Sequence, residues 1–363
     1  NGDGFQDLAV GADRAEDSST SSNQGAVLVF AGSATGLESE PIKEYFGQLP
    51  DGDGVWQHAR DAKMGSSLAA GDMDGDGLCD LAVGSFEFLT APDQGSDGAV
   101  WLYRGLAAAA PEPGGLESVP AKVWMADSTT NTGSNFGRSL AMGDLDGDGL
   151  ADLVVGQRSA TDPSSTAARH GAAWIFSGRE DFGPAEEAVQ VGWEDADWGV
   201  YGLRSYDRLG QELAIGDVTG DGISDLVVSS FEGEAEAPSP ATTGAIHIFE
   251  GLEDSLPSTE SFLWSAGLVG GDAFGQEIGL LDDVDGDGTV DLLAYAGRDA
   301  TLGWNVGRPY FVPGDPSLPL VALDLPGETS GQHSGRGLAF PGDIDGDGWE
   351  DLLVGANRET WAD

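Results

Sequence analysis

Short apolar runs alternate along the whole chain with segments rich in Gly, Asp, Ser and Pro. Each run is about five or six residues long and carries Val, Leu, Ala and aromatic residues, which is typical of strands rather than helices. Four runs recur in a constant order, and we label them A, B, C and D. In one copy they are SLAAGD at 67–72, DLAVG at 80–84, GAVWLY at 98–103 and AKVWM at 121–125.

The four runs repeat as a unit marked by one acidic segment. GDMDGDGLCDLAVG begins at Gly71, related segments begin at 143, 216, 282 and 342, and a shortened copy, NGDGFQDLAVG, opens the chain. A period of about 60 to 70 residues with four antiparallel strands per unit predicts the blades of a β-propeller. The predicted fold class is therefore all-β, with one propeller domain over 1–363 that is cut within a blade at both ends. The predicted blades are roughly 1–60 (partial), 61–130, 131–200, 201–268, 269–328 and 329–363 (partial).

Between strands A and B lies an acidic nine-residue loop. In Asp72–Asp80, side-chain oxygens stand at positions 1, 3, 5 and 9, and the backbone carbonyl at position 7 is also available. Ca²⁺ takes about six to eight oxygen ligands in irregular geometry, so this loop suits calcium better than a softer metal. Glycines at positions 4 and 6 permit the left-handed backbone that turns the carboxylates inward. An EF-hand is excluded because Val83 stands where that motif needs a glutamate.

The loop recurs, which predicts about five to six bound calcium ions as cofactors. Asp-Gly hairpin turns without a metal would explain one copy, but not acids at fixed offsets in five. Thr219 replaces the acid at position 3 of one loop, so that loop is predicted to bind most weakly. The predicted ligands are Asn1, Asp3, Phe5 and Asp7; Asp72, Asp74, Asp76, Leu78 and Asp80; Asp144, Asp146, Asp148, Leu150 and Asp152; Asp217, Thr219, Asp221, Ile223 and Asp225; Asp283, Asp285, Asp287, Thr289 and Asp291; and Asp343, Asp345, Asp347, Trp349 and Asp351.

These residues resemble a known repeat. A Phe-Gly pair such as Phe136-Gly137, then a DxDxDGxxD loop, then a DLxVG strand is similar to the FG-GAP repeat of integrin α subunits and related bacterial surface proteins. The resemblance implies a seven-bladed propeller when complete, of which six repeats are visible here, with calcium in several A–B hairpins. It also implies that the opposite face binds protein ligands. The same repeat accompanies catalytic domains, as in glycosylphosphatidylinositol-specific phospholipase D, so the resemblance alone does not decide the function.

Charge narrows the class of partner. Asp and Glu number 63 against 16 Lys and Arg, a formal net charge of −47, which argues against nucleic acid held through its phosphates. No apolar run approaches the roughly 20 residues of a membrane helix, so no membrane insertion is expected within this segment. An acidic surface favours basic or neutral partners. Cys79 is the single cysteine, so no internal disulfide forms.

Aromatic residues cluster on the face predicted to lie opposite the acidic loops. In an A-B-C-D meander that face is built by the B–C and D–A connections, and the D–A stretch 192–209 carries two Trp and two Tyr among acids. These rings either pack beside the Leu209-Gly210 turn or bind a partner. The candidate partner-binding residues are Trp193, Trp198, Tyr201 and Tyr206, with Trp56 in an earlier unit.

Catalytic motifs are not found in the sequence. The four histidines lie in different repeats without HExxH spacing, and neither a GxSxG elbow nor a Walker loop occurs. The sequence predicts a non-catalytic, calcium-binding adhesion or interaction module that recognises a protein or glycan. We expect it outside the cell or at the cell surface, where millimolar calcium would fill the loops. The alternative is an accessory or carbohydrate-binding propeller attached to a secreted enzyme such as a phospholipase or glycosidase.

Overall fold

The fold is described from a computed structural model. The structure describes residues 1–16, 23–50, 56–58, 62–88, 97–107, 115–126, 134–164, 169–180, 189–191, 195–203, 206–230, 243–257, 259–264, 273–281, 283–284, 286–297, 307–315, 317–323, 334–339, 344 and 353–356. Within these ranges the regular structure consists of β-strands, and no α-helix is present. The predicted all-β class is confirmed.

The chain divides into two compact units. The first comprises Asn1–Asp144 with Gly149–Tyr201, and the second comprises Leu145–Asp148 with Gly202–Asp363. The strands of the first unit are β1 (Leu8–Ala12), β2 (Ala26–Phe30), β3 (Lys43–Phe46), β4 (Gln48–Pro50), β5 (Trp56–His58), β6 (Ser67–Gly71), β7 (Asp80–Ser85), β8 (Ala99–Tyr103), β9 (Lys122–Ala126), β10 (Phe136–Gly143), β11 (Asp152–Gln157), β12 (Ala172–Phe176), β13 (Val189–Val191) and β14 (Trp198–Tyr201).

The second unit continues the same pattern of short strands. Its strands are β15 (Leu209–Gly216), β16 (Asp225–Ser230), β17 (Ala245–Phe249), β18 (Phe262–Trp264), β19 (Phe274–Leu280), β20 (Leu292–Ala296), β21 (Arg308–Val312), β22 (Val321–Ala322), β23 (Ser334–Ala339) and β24 (Leu353–Ala356).

The sheets follow the predicted A-B-C-D order. Four antiparallel strands lie side by side in β6-β7-β8-β9, in β10-β11-β12-β14, in β15-β16-β17-β18 and in β19-β20-β21-β22. β1-β2-β3 form a three-stranded sheet, and β23-β24 form a pair. Four-stranded antiparallel sheets in chain order fit a β-propeller-like fold.

In the second sheet, strands B and C are continuous apolar runs because both of their faces are buried. Every residue of β7 and β8 is buried. In β8, Val100 and Leu102 join the core cluster shared with the third sheet, whereas Trp101 and Tyr103 join the one shared with the first sheet. Alternate side chains of one sheet therefore fill the cores on either side of it. A third cluster, around Phe274 and Ile246, is the core of the second unit.

The Phe-Gly pair and the glycine that opens strand C meet between neighbouring sheets. A Cβ on Gly98 would lie 2.0 Å from the carbonyl oxygen of Phe136, so only glycine fits there. Gly244 has the same relation to Phe274, at 2.1 Å. The motif glycines are therefore required by close backbone approach between adjacent sheets.

The predicted D–A connections contain strands that the sequence pattern did not reveal. Within 192–209, Trp198–Tyr201 form β14, the D strand of the third sheet, so its assignment to a face connection is wrong. Val189–Val191, just before it, pair in parallel with β9 of the preceding sheet. Within 47–64, β4 and β5 form a hairpin. Short apolar runs of this kind do not specify which sheet edge they will join.

Candidate metal sites in the A–B loops

In the loops from Asp72, Asp144, Asp217 and Asp283, the aspartate at position 1 accepts backbone hydrogen bonds from within the loop. Asp72 Oδ1 accepts the N–H groups of Gly75 and Asp76 at 2.8 and 3.1 Å, and Oδ2 accepts that of Gly77 at 2.8 Å. Gly75 and Gly77 have φ of 74° and 85°, the left-handed conformation that the sequence predicted. Asp217 and Asp283 accept equivalent bonds from the N–H groups of Gly222 and Gly288, both at 2.9 Å.

The aspartate at position 9 is buried, and it links the A–B loop to the residues that follow strand C in the same sheet. Asp80 is only 1% exposed; its Oδ2 accepts the N–H of Met73 at 3.0 Å and its Oδ1 that of Gly105 at 2.9 Å. Asp225 and Asp291 are also buried and each accepts two backbone N–H groups in the same way. Position 9 thus stabilises the loop itself and offers carboxylate oxygens beside it.

A glycine after strand C donates the second hydrogen bond to the aspartate at position 9. The sequence motifs described above do not include this glycine. The donors to the position 9 carboxylates are Gly32, Gly105, Gly178, Gly251 and Gly314. A Cβ on Gly105 would lie 2.7 Å from the carbonyl oxygen of Cys79, and one on Gly251 would lie 2.2 Å from that of Ser224. The signal in the sequence is a glycine two residues after the last residue of each C strand.

Carboxylate oxygens converge in two of the described loops. One oxygen each from Asp72, Asp74 and Asp80 lies within 4.8 Å of the others, and the same holds for Asp144, Asp146 and Asp148, at positions 1, 3 and 5 of the next loop. Burial raises the pKa of Asp80 to about 6, against backbone hydrogen bonds from Gly105 and Met73 that lower it. Burial first, and the Asp76 charge second, raise the pKa of Asp74. A cation would relieve this electrostatic cost, and an all-oxygen donor set fits a hard one.

The other predicted loops differ in detail. Asn1 Oδ1 accepts the N–H of Asp3 at 2.9 Å, and the Asn1 amide lies 3.4 Å from Asp7. In the Thr219 loop, the Thr219 N–H donates to Asp225 at 2.8 Å. Burial raises the pKa of Asp225, as it does that of Asp80. Predicted ligands that lie outside the described residues are Asp285, Asp343, Asp345, Asp347, Trp349 and Asp351.

Neighbouring loops contact each other through position 7. A Cβ on Gly75, at position 4, would lie 2.7 Å from Cδ2 of Leu150, at position 7 of the next loop. The following N–H, of Ala151, donates to the carbonyl of Asp72 at 2.8 Å. In the second unit the Val290 N–H donates to the carbonyl of Asp217 at 3.2 Å. Each such loop is therefore braced by the loop of the following sheet.

Some of the aromatic residues proposed to bind a partner pack against the core, and others are exposed. Tyr201, in β14, contacts Trp174 edge-on with ring centroids 5.3 Å apart and packs against the core of the first unit. Trp198 is opposite Ile175 in the same sheet and is half-buried. Tyr206 is 49% exposed with φ of 68°. Trp56 pairs with Pro50 in the β4–β5 hairpin, and Trp193 lies outside the described residues.

One serine and one histidine in the second unit form a contact of the kind used in hydrolases. Ser230 Oγ lies 2.7 Å from His247 Nε2, and His247 Nδ1 lies 3.4 Å from a carboxylate oxygen of Glu260. A nucleophile must reach its substrate, yet Ser230 is only 2% exposed. The geometry favours a polar link between β16 and β17.

Among the described residues, no helix is long and apolar enough to cross a membrane.

Two family models match the chain. The FG-GAP repeat model matches residues 1–30 and 136–176, and the FG-GAP-like repeat model matches residues 72–155. The matched segments contain A–B loops and the strands that flank them.

Named relatives are similar over part of the chain. Integrin alpha-PS2 of Drosophila melanogaster is 29% identical over 248 residues, 65% of this chain and 15% of the fly protein. Integrin alpha-5 of Xenopus laevis is 34% identical over 165 residues, 43% of this chain and 13% of the frog protein. Phosphatidylinositol-glycan-specific phospholipase D of Rattus norvegicus is 31% identical over 221 residues, 59% of this chain and 23% of the rat protein.

The chain thus covers less than a quarter of the length of each of these relatives. A crystal structure of rhamnogalacturonan lyase YesW aligns with a TM-score of 0.43 and 14% identity, covering 94% of this chain and 65% of the lyase. So low a TM-score does not establish a common fold, and nothing about activity follows from it. The repeat models, the loop geometry and the integrin relatives agree with one another. The chain therefore contains segments that match FG-GAP repeats, and it is similar to integrin α subunits over part of its length.

Proposed function

We propose that this chain is a calcium-stabilised, non-catalytic interaction module of the extracellular space or cell surface. The proposal is supported by the convergence of carboxylate oxygens from Asp72, Asp74 and Asp80. It is also supported by the hydrogen bond from a glycine after strand C to the position 9 aspartate, which recurs from sheet to sheet. The proposal includes one propeller with the blade limits predicted above, seven-bladed when complete. Its role in adhesion is to present a partner-binding face at the ends of the sheets opposite the A–B loops.

Calcium is the proposed cation because the donors are carboxylates and backbone carbonyls. Such donors suit a large, hard cation with variable coordination, and extracellular calcium is abundant enough to fill sites of moderate affinity. The residues proposed to hold it are those at positions 1, 3, 5, 7 and 9 of each loop. The bound ion would supply positive charge among the carboxylates and thereby hold the A–B hairpin and its neighbour in place.

The proposed partner is a protein or glycan. The integrin relatives support an interaction module, and the net charge of −47 favours partners that are basic or neutral. Trp193, Tyr206 and Trp56 remain the proposed aromatic contacts. Trp198 is withdrawn, because it begins β14 opposite Ile175, at the end of the third sheet where the A–B loop lies. The role of Tyr201 in the core makes it the weakest of the partner candidates, because removing it would also disturb packing.

A second candidate function is an accessory module beside a secreted enzyme. The phospholipase D relative, which matches 59% of this chain, supports it. The two candidates share the calcium sites and differ in whether the module binds its partner without an attached catalytic domain. Binding of a cell-surface protein or glycan array by the isolated chain would favour the first, and binding only of an enzyme's polymeric substrate would favour the second.

The test of the calcium proposal is a thermal melt of the chain in millimolar calcium and in calcium-free buffer. We expect calcium to raise the melting temperature by mass action on the folded state. Asp74→Asn should reduce this rise, whereas Glu44→Gln, which removes an exposed carboxylate from β3, should not. Identical melting curves with and without calcium would rule the proposal out.

A further inference from the structure

Arg104 carries a positive charge beside the Asp72–Asp80 loop. It directly follows β8 and precedes Gly105, whose N–H donates to Asp80 Oδ1 at 2.9 Å. A Cβ on Gly105 would lie 2.7 Å from Cβ of Leu78, at position 7 of the loop. The backbone that carries Arg104 is therefore packed against the end of the loop that holds positions 7 to 9.

Glu117 holds Arg104 in this place. The Arg104 Nη2 group donates to Glu117 Oε1 at 2.7 Å, and both side chains are partly buried. The Glu117 N–H also donates to the carbonyl of Arg104 at 3.0 Å, and a β-bridge joins Gly105 to Leu116. Because backbone bonds and partial burial already restrict both residues, the ion pair costs less side-chain entropy than one between two exposed side chains.

The charge of Arg104 acts on the loop carboxylates. Burial and the Asp76 charge raise the pKa of Asp74, and the Arg104 charge opposes them. The hydrogen bond to Glu117 raises the pKa of Arg104 against the effect of burial, and the charges of Asp74 and Asp80 raise it further. Arg104 Nε is buried and has no hydrogen-bond partner among the described residues. Glu117 therefore compensates the guanidinium only in part, and some of the positive charge acts on the loop.

The residue at this position differs from sheet to sheet. Arg104 precedes the glycine that donates to the position 9 aspartate, and the equivalent residues are Ala31, Ser177, Glu250 and Pro313. None of these four residues carries a positive charge. A cation at this position therefore distinguishes the Asp72–Asp80 loop from the other four.

We propose that Arg104 is a built-in cation that orders the Asp72–Asp80 loop when no ion is bound and lowers its affinity for calcium, and that Glu117 limits both effects. A cation near several carboxylates reduces their mutual repulsion, and the same charge repels an arriving Ca²⁺. Glu117 holds the guanidinium through a hydrogen bond, which keeps it from pairing with Asp74 instead. Neither Arg104 nor Glu117 is a proposed ligand. The inference rests on the proposed function, because it concerns the affinity of one of the proposed calcium sites.

The test measures amide hydrogen exchange by mass spectrometry across a series of free calcium concentrations. The calcium concentration that gives half of the protection in 72–80 reports on this loop, and 144–152 serves as an internal reference. Arg104→Gln should lower the calcium midpoint of 72–80 by about three- to tenfold, whereas Glu117→Gln should raise it by a similar factor. A lower midpoint is a gain in affinity, which misfolding cannot produce. The midpoint of 144–152 should change by less than about twofold in both variants.

Two further variants separate the local charge of Arg104 from its other properties. Arg104→Lys keeps the positive charge and should keep the midpoint of 72–80 within about twofold of the wild-type value. Arg14→Gln removes an exposed arginine two residues after β1, with the same change in net charge, and should leave the midpoint unchanged. An unchanged or higher midpoint for Arg104→Gln, or an equal decrease for Arg14→Gln, would overturn the inference.

Calcium-free buffer provides a measurement that does not depend on calcium binding. There, Arg104→Gln should speed exchange in 72–80 at least about twofold, because the loop loses a stabilising charge. If calcium fails to protect the loops of the wild-type chain, the proposed function fails, and faster exchange in this variant would still support the ordering role of Arg104. If calcium protects the loops but Arg104→Gln changes neither the midpoint nor the calcium-free exchange, this inference alone fails.

Discussion

Asp80 Oδ1 accepts a hydrogen bond from the backbone N–H of Gly105 at 2.9 Å, which joins the A–B hairpin to the end of strand C. The same carboxylate converges with Asp72 and Asp74. Position 9 therefore has a role in folding and, under the proposed function, a second one in ion binding.

The first prediction compares Asp80→Asn with Asp74→Asn. Asp80→Asn places an amide where two buried N–H groups need acceptors, so it should cost about 1–3 kcal/mol even without calcium. Asp74 is half-buried and accepts only a long bond from Asp76, at 3.3 Å. Asp74→Asn should therefore lower calcium affinity while leaving the calcium-free free energy of unfolding nearly unchanged. Urea melts with and without calcium measure both effects, and equal calcium-free losses would contradict the distinction.

The second prediction concerns the loop with Thr219. Thr219→Asp should tighten calcium binding at that loop, because it restores a carboxylate at position 3. Thr219→Val, which removes the hydroxyl at similar volume, should weaken it further. Calcium occupancies in crystals soaked at graded concentrations check the order of filling. Full occupancy of the wild-type Thr219 loop while the Asp72 loop is empty would refute it.

The third prediction follows from the contact between Leu150 and Gly75. Leu150→Ala removes the side chain that braces the preceding loop but leaves the backbone carbonyl at position 7 in place. We expect faster amide hydrogen exchange in 72–80, because local opening of that loop becomes easier. Leu203→Ala is the control, since Leu203 is 85% exposed. Exchange confined to the loop of residue 150 itself would show that neighbouring loops are independent.

The fourth prediction is a pH dependence of opposite sign with and without calcium. The folded-state pKa of Asp80 is raised to about 6 from 3.8, so its protonated form is favoured by folding. Without calcium, the stability from this group is present below pH 4 and is lost as the pH rises through 6. With calcium, protonation competes with the ion, so the calcium-induced rise in melting temperature should shrink below pH 6. Asp80→Asn should flatten the calcium-free trend; an unchanged slope would contradict it.

The fifth prediction concerns Tyr201. Its contact with Trp174 and the core predicts that Tyr201→Ala lowers the free energy of unfolding by about 2–4 kcal/mol. Tyr206→Ala should change it by less than about 1 kcal/mol, because Tyr206 is exposed. Chemical denaturation of both variants in calcium checks this. A neutral Tyr201→Ala would return the residue to the candidate recognition surface.

The sequence by itself determined the all-β class, the A-B-C-D order and the left-handed glycines of the loops. These features are local: strand periodicity and turn chemistry act over a few residues, and a repeat presents the same local signal several times. The spacing of Asp72 and Gly75 within one nine-residue segment therefore suffices to assign both residues to a loop.

Only the tertiary structure decided which distant residues meet. The Gly105 donor to Asp80, the Leu150 brace on Gly75 and the pairing of Trp198–Tyr201 with β12 all join segments 20 or more residues apart. The ion pair of Arg104 with Glu117 likewise lies beside the Asp72–Asp80 loop only because the end of strand C packs against that loop. No local pattern encodes such contacts, because they are selected by how whole sheets pack and by which strand edges remain available.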